Sequence, residues 1–433
     1  MAQSEQRSIV IIGGGIIGCT SAYYLTHHPS FDASQAKLII LEASAHGAAQ
    51  GASGKAGGLV ARWAYPQPLV DVSFNEHVRL AERHNGAERW GWRFVGCGSW
   101  EGRAEEVPEP VPGAGGSEVQ GEATVGRRKS LEKTIGLESQ PHRKTRKRAT
   151  GLPDDLTWME EDLTDAYSPM APPGDTAQVH PYKFTTSMLA LAQEKGAEFI
   201  RGRATRILSE RGRVTGIAYT EPSTQQEQQL PATHVILAAG AWAPMLLPGL
   251  PIAGTRAHSI TIHPPPHLLP IAPYALFTDI ALPPSSGSLS RRTRHGVPHA
   301  TPEFYARPGP EGEVYACGPG DDAPLPAGGV DEVEVDQRAC EEVWRQVRAV
   351  SRVLRAGNVQ ARQACYLPVV QGRRQGPIIG EAKERARGLI VAAGHTCWGI
   401  CNAPGTGRAI AELVMEGEIK CADLRSLQPG LFI

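Results

Sequence analysis

The sequence predicts an α/β fold that opens on a Rossmann-type, dinucleotide-binding unit. Three observations carry this. A short apolar, β-branched run from Ser8 to Ile12 precedes a helical stretch from Cys19 to His27 and a second apolar run from Lys37 to Leu41. Between the first run and the helix lies Gly13-Gly14-Gly15-Ile16-Ile17-Gly18, which fits G-x-G-x-x-G. The second run ends on an acid, Glu42. Apolar runs without polar alternation suit strands buried on both faces of a parallel sheet. Strand, helix and strand within roughly thirty residues make a βαβ unit with a right-handed crossover.

Each glycine of the turn has its own task. Gly13 permits the tight bend, Gly15 lets the backbone approach a pyrophosphate, and Gly18 lets helix and strand pack closely. The phosphates then meet the free amides and positive dipole end of the helix. Glu42, roughly twenty residues beyond Gly18, is placed to accept both ribose hydroxyls of an adenosine, and its charge disfavours a 2′-phosphate. Taken alone, the turn fits an NAD-dependent dehydrogenase as well as a flavoprotein.

Bulk properties narrow the class. The 433 residues exceed the roughly 250–300 at which single cores stop growing, so two domains are expected. A net charge of −1 excludes a whole-molecule field that gathers nucleic acid or anionic membrane. The eight cysteines form no CxxC pair, so neither a metal site nor a disulfide framework is expected. That usage suits a reducing compartment, and a cytoplasmic location is expected. The polar start, Met1 to Ser8, lacks a signal pattern, and no apolar stretch approaches the roughly 18 residues of a membrane span.

Further along, residues 101–150 lose apolar periodicity and read as a flexible surface insert. Its basic cluster, Arg143, Lys144, Arg146, Lys147 and Arg148, is read as a solvated loop rather than a localisation or anion-binding patch. Lys183 to Lys195 predicts an amphipathic helix with Phe184, Met188 and Leu191 on one side. Strands are expected at Glu198–Arg201, Arg213–Tyr219 and Val235–Ala239, the last closed by Gly240. The Pro-rich and basic stretch 263–310 predicts irregular connections. Glu303–Arg307 and Glu313–Cys317 alternate around Pro308–Gly312, which predicts a β-hairpin with one solvated face. A long amphipathic helix is expected over Asp331–Arg355, a buried strand over Gly388–Ala393 and a last helix over Thr406–Met415.

Three features favour FAD over NAD. The small-residue loop Ala52-Ser53-Gly54-Lys55-Ala56-Gly57-Gly58 can lie flat against an extended cofactor and offers the Ser53 hydroxyl. The strand His234–Ala239 would bring Gly240 and Trp242 to the cofactor. Gly394-His395-Thr396-Cys397-Trp398-Gly399-Ile400, followed by Asn402, Pro404, Gly405, Thr406 and Gly407, opens a second helix. A helix N-terminus suits the negative charge of a reduced flavin ring.

These segments together resemble the D-amino-acid oxidase, glycine oxidase and sarcosine oxidase superfamily, with the loop Gly51–Tyr65 most similar to a fungal subgroup. Gln178-Val179-His180-Pro181 and Tyr305-Ala306-Arg307-Pro308 share the likeness, which covers most of the chain outside 101–150. The resemblance implies a discontinuous FAD-binding domain, 1–92, 176–246 and 362–433. It implies an α+β substrate domain, 93–175 and 247–361, built on a large, mostly antiparallel sheet. It extends the expected FAD contacts to Ala43, Leu59 and Ala204.

The resemblance also implies oxidation of the C–N bond of an amino acid or secondary amine. Hydride passes from carbon to flavin N5, and water hydrolyses the resulting imine. This chemistry needs orientation and an apolar site more than a protein base. Arg62, in Arg62-Trp63-Ala64-Tyr65, resembles the substrate-binding arginine of sarcosine oxidases; a salt bridge to a nearby acid is the competing reading. Arg307 is the second candidate clamp, Tyr305 and Tyr315 are candidate pocket walls, and His395 either faces the flavin or is structural. Cys365 either carries a thioether to the flavin, as in sarcosine oxidases, or is a small buried hydrophobe; noncovalent FAD is expected. Cys397 and Cys401 are expected to have no redox role together. The lysine that promotes oxygen reactivity in some of these oxidases is missing from Ala316–Asp322, so oxygen or another acceptor remains open. That departure, with the insert, also keeps open an FAD-binding protein with a regulatory role and little turnover.

Overall fold

The computed structural model describes residues 7–107, 150–222, 224–283, 291–292 and 298–433. The basic cluster and most of the expected insert lie outside the described residues, while the strand Gly96–Arg103 runs into the insert's first residues.

The N-terminal unit forms as expected: β1 (Arg7–Ile12), α1 (Ile16–Thr26) and β2 (Ala36–Glu42). Strand β1 pairs in parallel with β2 and with His234–Leu237. The six-stranded sheet continues in parallel to Glu198–Arg201 on one side and Leu389–Ala393 on the other, with Ile378–Glu381 antiparallel at the edge. Ile9, Ile11, Leu38, Ile40 and Ile236 fill one face, and Val10, Ile12, Ile39, Leu41, Val235 and Leu237 the other. Burial on both faces explains the unbroken apolar runs. At roughly 1.5–3 kcal/mol for each fully buried aliphatic side chain, this sheet is a main store of stability.

Helix α1 packs between Pro181–Gln193 and Gly399–Glu416. The last helix approaches α1 closely because Gly407 faces Thr20, where an added Cβ would lie 2.8 Å from backbone. That helix begins at Gly399 rather than Thr406 and carries Pro404 within it.

The second large sheet has nine strands and is antiparallel except where Gly96–Arg103 pairs in parallel with Tyr274–Ala281. Its longest pairing joins Ile252–His263 to Asn358–Val370, which crosses residue 362. The region 263–310 is not merely irregular, because Tyr274–Ala281 is a buried strand between prolines. The hairpin Glu303–Ala306 and Val314–Cys317 forms, but all its residues are buried. Phe304, Ala306, Val314 and Ala316 pack with Cys340, Val343 and Val347, and Tyr305, Tyr315 and Cys317 pack toward the nucleotide-binding side. The expected helix Asp331–Arg355 is broken into Gln337–Arg348 and Arg352–Arg355. Asp336 caps the first through the Arg338 and Ala339 amides, and Ser351 caps the second through the Leu354 amide.

Among the described residues no helix is long and apolar enough to cross a membrane. Nor does any group of His, Cys, Asp and Glu side chains among them suit a metal ion.

Candidate cofactor and active site

A cavity of about 400 Å³ opens at the carboxyl ends of β1, β2 and His234–Leu237. This is where open α/β sheets bind ligands. Gly13 turns with φ +114°, and a Cβ there would lie 2.5 Å from the Ala238 carbonyl oxygen. Gly18 sits against the turn itself: its Cβ would lie 1.9 Å from the Gly13 carbonyl oxygen. The first glycine thus shapes the bend and the third seats the helix, while Gly13, Gly15, Ile16 and Ile17 line the cavity. The Ser53 hydroxyl accepts the Ile16 amide at 2.9 Å, so it caps α1 as well as lining the cavity.

Glu42 closes the cavity at the end of β2. Its Oε2 accepts the Gly14 amide at 2.5 Å, and its Oε1 accepts the Ser44 amide at 2.8 Å. Burial pushes the carboxyl up, the two amides oppose that, and the Asp331 charge adds to it. Asp331 is itself held by the Ser44 hydroxyl and the Ala45 amide.

Other expected cofactor residues also line this cavity: Ala43 and Ala204 with Glu42, and Ala239, Gly240 and Trp242 after the central strand. At the far end come Gly394, Thr396, Cys397, Gly399 and Ile400. Sequence reasoning missed Gly202, Met245, Ala327, Gly329 and Val330, all of which contribute to the wall. The Gly328-Gly329 pair was a turn signal for the last three. Tyr366, Leu367 and Pro368 form another wall beside Cys397.

Several expected residues stand behind the wall rather than in it. Gly54, Gly57 and Gly58 back the loop against Ala49, Tyr305 and Val179, and Leu59 pairs with Gln178. The Lys55 ammonium donates to the Ala364 carbonyl at 3.0 Å. Trp398 packs edge-on to Trp63 and Tyr65. Cys365 clusters with Ala257 and Leu367, and burial pushes its thiol up to about 11, only partly opposed by Lys55. Every cysteine of the chain is a free thiol.

His395 lines the cavity, but its Nε2 pairs with the Thr406 hydroxyl at 3.0 Å and burial lowers it to about 3. It is a neutral link between the loop and the last helix. Thr396 beside it has φ +51°, uncommon for a β-branched residue and a form of strain that gathers at functional sites.

Neither arginine reaches the cavity. Arg62 pairs with Asp175 at 3.4 Å, donates to Asn75 at 3.1 Å and lies 4.1 Å over the Phe74 ring. Arg307 is buried, pairs with Glu313 at 2.8 Å, donates to the Ala56 carbonyl and stacks on Tyr315. Arg307 therefore fastens the hairpin to the loop. Tyr305 and Tyr315 are brought together, ring centroids 5.7 Å apart, on the face toward the cavity.

The cavity residues fit FAD: a glycine cradle at a helix N-terminus, an acid at the second strand end and a second helix start opposite. A family model, FAD dependent oxidoreductase, matches residues 8–413. This chain belongs to the FAD-dependent oxidoreductase family. It is 30% identical to TDA3 of Saccharomyces cerevisiae, over 99% of this chain and 95% of that one. It is 31% identical to a Schizosaccharomyces pombe protein, over 98% of each. Both relatives are named only in general terms, as oxidoreductases. Among solved structures, glycine oxidase of Bacillus cereus is similar with a TM-score of 0.65 at 18% identity, covering 97% of this chain and 98% of that one. Iminodiacetate oxidase of Chelativorans is similar with a TM-score of 0.64 at 20% identity, with the same coverage. At that identity these two speak for the fold. This member of the FAD-dependent oxidoreductases thus has the mixed α/β architecture of glycine oxidase.

Proposed function

We propose that this flavoenzyme oxidises the C–N bond of a small amine or amino acid. The observation that carries the reading is the placement of the Tyr305–Tyr315 face. An apolar, aromatic wall from the large sheet lies against Gly57, behind the cofactor loop, and packs with Cys397 at the end of the cofactor cavity. Amine oxidation needs such an orienting, water-poor site. The names of the two similar structures, an iminodiacetate oxidase and a glycine oxidase, point the same way.

Bound FAD supplies the hydride acceptor. The chain's own part is to hold and enclose. The glycine turn and Glu42 fix the adenosine half, the loop at Ser53 covers the middle, and Gly394–Ile400 flanks the ring end. Trp63, Trp398, Phe277 and Tyr305 stack edge to face and exclude water from the sheet side. FAD is held without a thioether, since the raised Cys365 thiol is a poor source of thiolate. The cofactor unit comprises 1–92, 176–246 and 362–433, and the substrate unit 93–175 and 247–361. Oxygen or another electron acceptor would be the second partner. The free thiols support a reducing compartment, the cytoplasm.

Anaerobic mixing of the FAD-loaded protein with a panel of amines and amino acids tests this. Bleaching of the flavin band by at least one member is expected. A band that persists across both classes would replace the reading with a regulatory FAD-binding protein.

A further inference from the structure

Residues 318–336 leave the large sheet after Cys317 and lead back to the helix Gln337–Arg348. Both ends are tied to one strand, Ile252–His263. At the first end, Asp321 exchanges backbone hydrogen bonds with Arg256 and takes its guanidinium at 3.1 Å. At the second, the Asp336 amide donates to His258 Nε2 at 3.0 Å.

The strap between these anchors bridges two walls of the cofactor cavity, and its residues Ala327, Gly329 and Val330 line that cavity. On one side the Trp242 indole donates to the Pro326 carbonyl at 3.0 Å, and the Arg203 guanidinium to the Ala327 carbonyl at 3.2 Å. The Tyr366 hydroxyl donates to the Pro324 carbonyl at 2.6 Å. On the other side Asp331 accepts the Ser44 hydroxyl at 2.6 Å and the Ala45 amide at 2.8 Å, just past Glu42. Val330 reaches the cofactor loop, where a Cβ on Gly51 would lie 3.4 Å from its Cγ2.

These fastenings are polar. From Asp322 to Val335 no side chain is buried, so the strap is not part of the core. A segment with few buried apolar contacts opens locally without unfolding the rest. Firm anchors at Asp321 and Asp336 let the middle swing away and return.

We propose that this strap is a latch over bound FAD, fastened by Asp331 on Ser44 and Ala45, and that the cofactor enters and leaves only when it opens. The inference goes beyond the amine-oxidoreductase reading and does not depend on the substrate.

FAD exchange kinetics test it, read by stopped-flow flavin fluorescence on the full chain. Dissociation is followed from the FAD-loaded protein, and association after FAD has been stripped. A latch governs both directions, whereas a simple contact governs departure alone. Asp331→Ala should therefore raise both rates at least fivefold and move their ratio, the affinity, by less than threefold. Asp331→Asn, which keeps one acceptor oxygen, should fall between that variant and the wild type. Faster dissociation with unchanged association, or no change in either rate, overturns the proposal. Should Asp331→Ala fail to fold, the double variant Gly51→Cys, Val330→Cys decides. Oxidation should link the strap to the loop and slow FAD exchange at least tenfold, and reduction should restore it. A pair that cannot be oxidised, or equal exchange in both redox states, overturns the latch. A yellow protein that no amine bleaches sinks the C–N oxidation and leaves the latch standing.

Discussion

Glu42 and Gly14 are joined by a 2.5 Å hydrogen bond from the Gly14 amide to the carboxylate Oε2, tying the end of β2 to the glycine turn. The acid therefore braces the turn, beside the ribose-binding role proposed for it. Glu42→Ala leaves the Gly14 and Ser44 amides without their acceptor, at a cost of about 1–3 kcal/mol for a buried donor. FAD affinity, read by fluorescence titration, should fall at least tenfold. An unchanged affinity would show that Glu42 does neither job.

Gly18→Ala should be far worse than Gly14→Ala. The first places a Cβ 1.9 Å from a backbone oxygen, and the second meets the Glu42 Oε2 at 3.0 Å. Overpacking against backbone costs about 3 kcal/mol or more, so Gly18→Ala should yield insoluble or FAD-free protein. Gly14→Ala should fold and bind FAD more weakly. Comparable losses for both would contradict this account of the turn.

Arg62→Ala should leave FAD content and turnover intact. Its half-exposed ion pair to Asp175 is worth about 0–1 kcal/mol, and its contact with Phe74 a similar amount. The thermal midpoint should drop by a few degrees at most. A large rise in KM for a substrate would return Arg62 to the active site.

Acid should destabilise the fold below about pH 6.5. Burial lowers His77 and His180 to about 4 and His395 to about 3. All three are neutral when folded but take up protons near 6.5 when unfolded. Their contribution is therefore present above pH 6.5 and is lost as pH falls toward 4. Glu42, raised by burial, acts in the opposite sense as a single group. Chemical denaturation between pH 8 and 4.5 should show falling stability with proton uptake on unfolding. Constant or rising stability across that range would contradict the assignment.

What the sequence made legible was local. The β1–α1–β2 unit, Gly13, Gly18 and Glu42 declare themselves by period and spacing. The hairpin too was visible, but not the burial of both its faces, which depends on Gln337–Arg348 packing beneath it. The strand Tyr274–Ala281 was hidden among prolines that end it without breaking it. The break in the expected helix Asp331–Arg355 was written in Asp336 and Ser351, two capping residues inside an amphipathic pattern that runs across them. Arg62 looked like a clamp because nothing in its neighbourhood of sequence reveals Asp175. Glu303 reads as the solvated side of an alternating strand, yet the structure buries it beside Tyr305.

The central claim is that this cavity holds FAD noncovalently. The direct measurement is the absorption spectrum of the purified protein, incubated with FAD and desalted, then precipitated in acid. The account predicts a yellow protein with a flavin band, and a yellow supernatant with a colourless pellet. A protein that stays colourless after FAD would contradict the site itself. Colour retained in the pellet would contradict the account of Cys365.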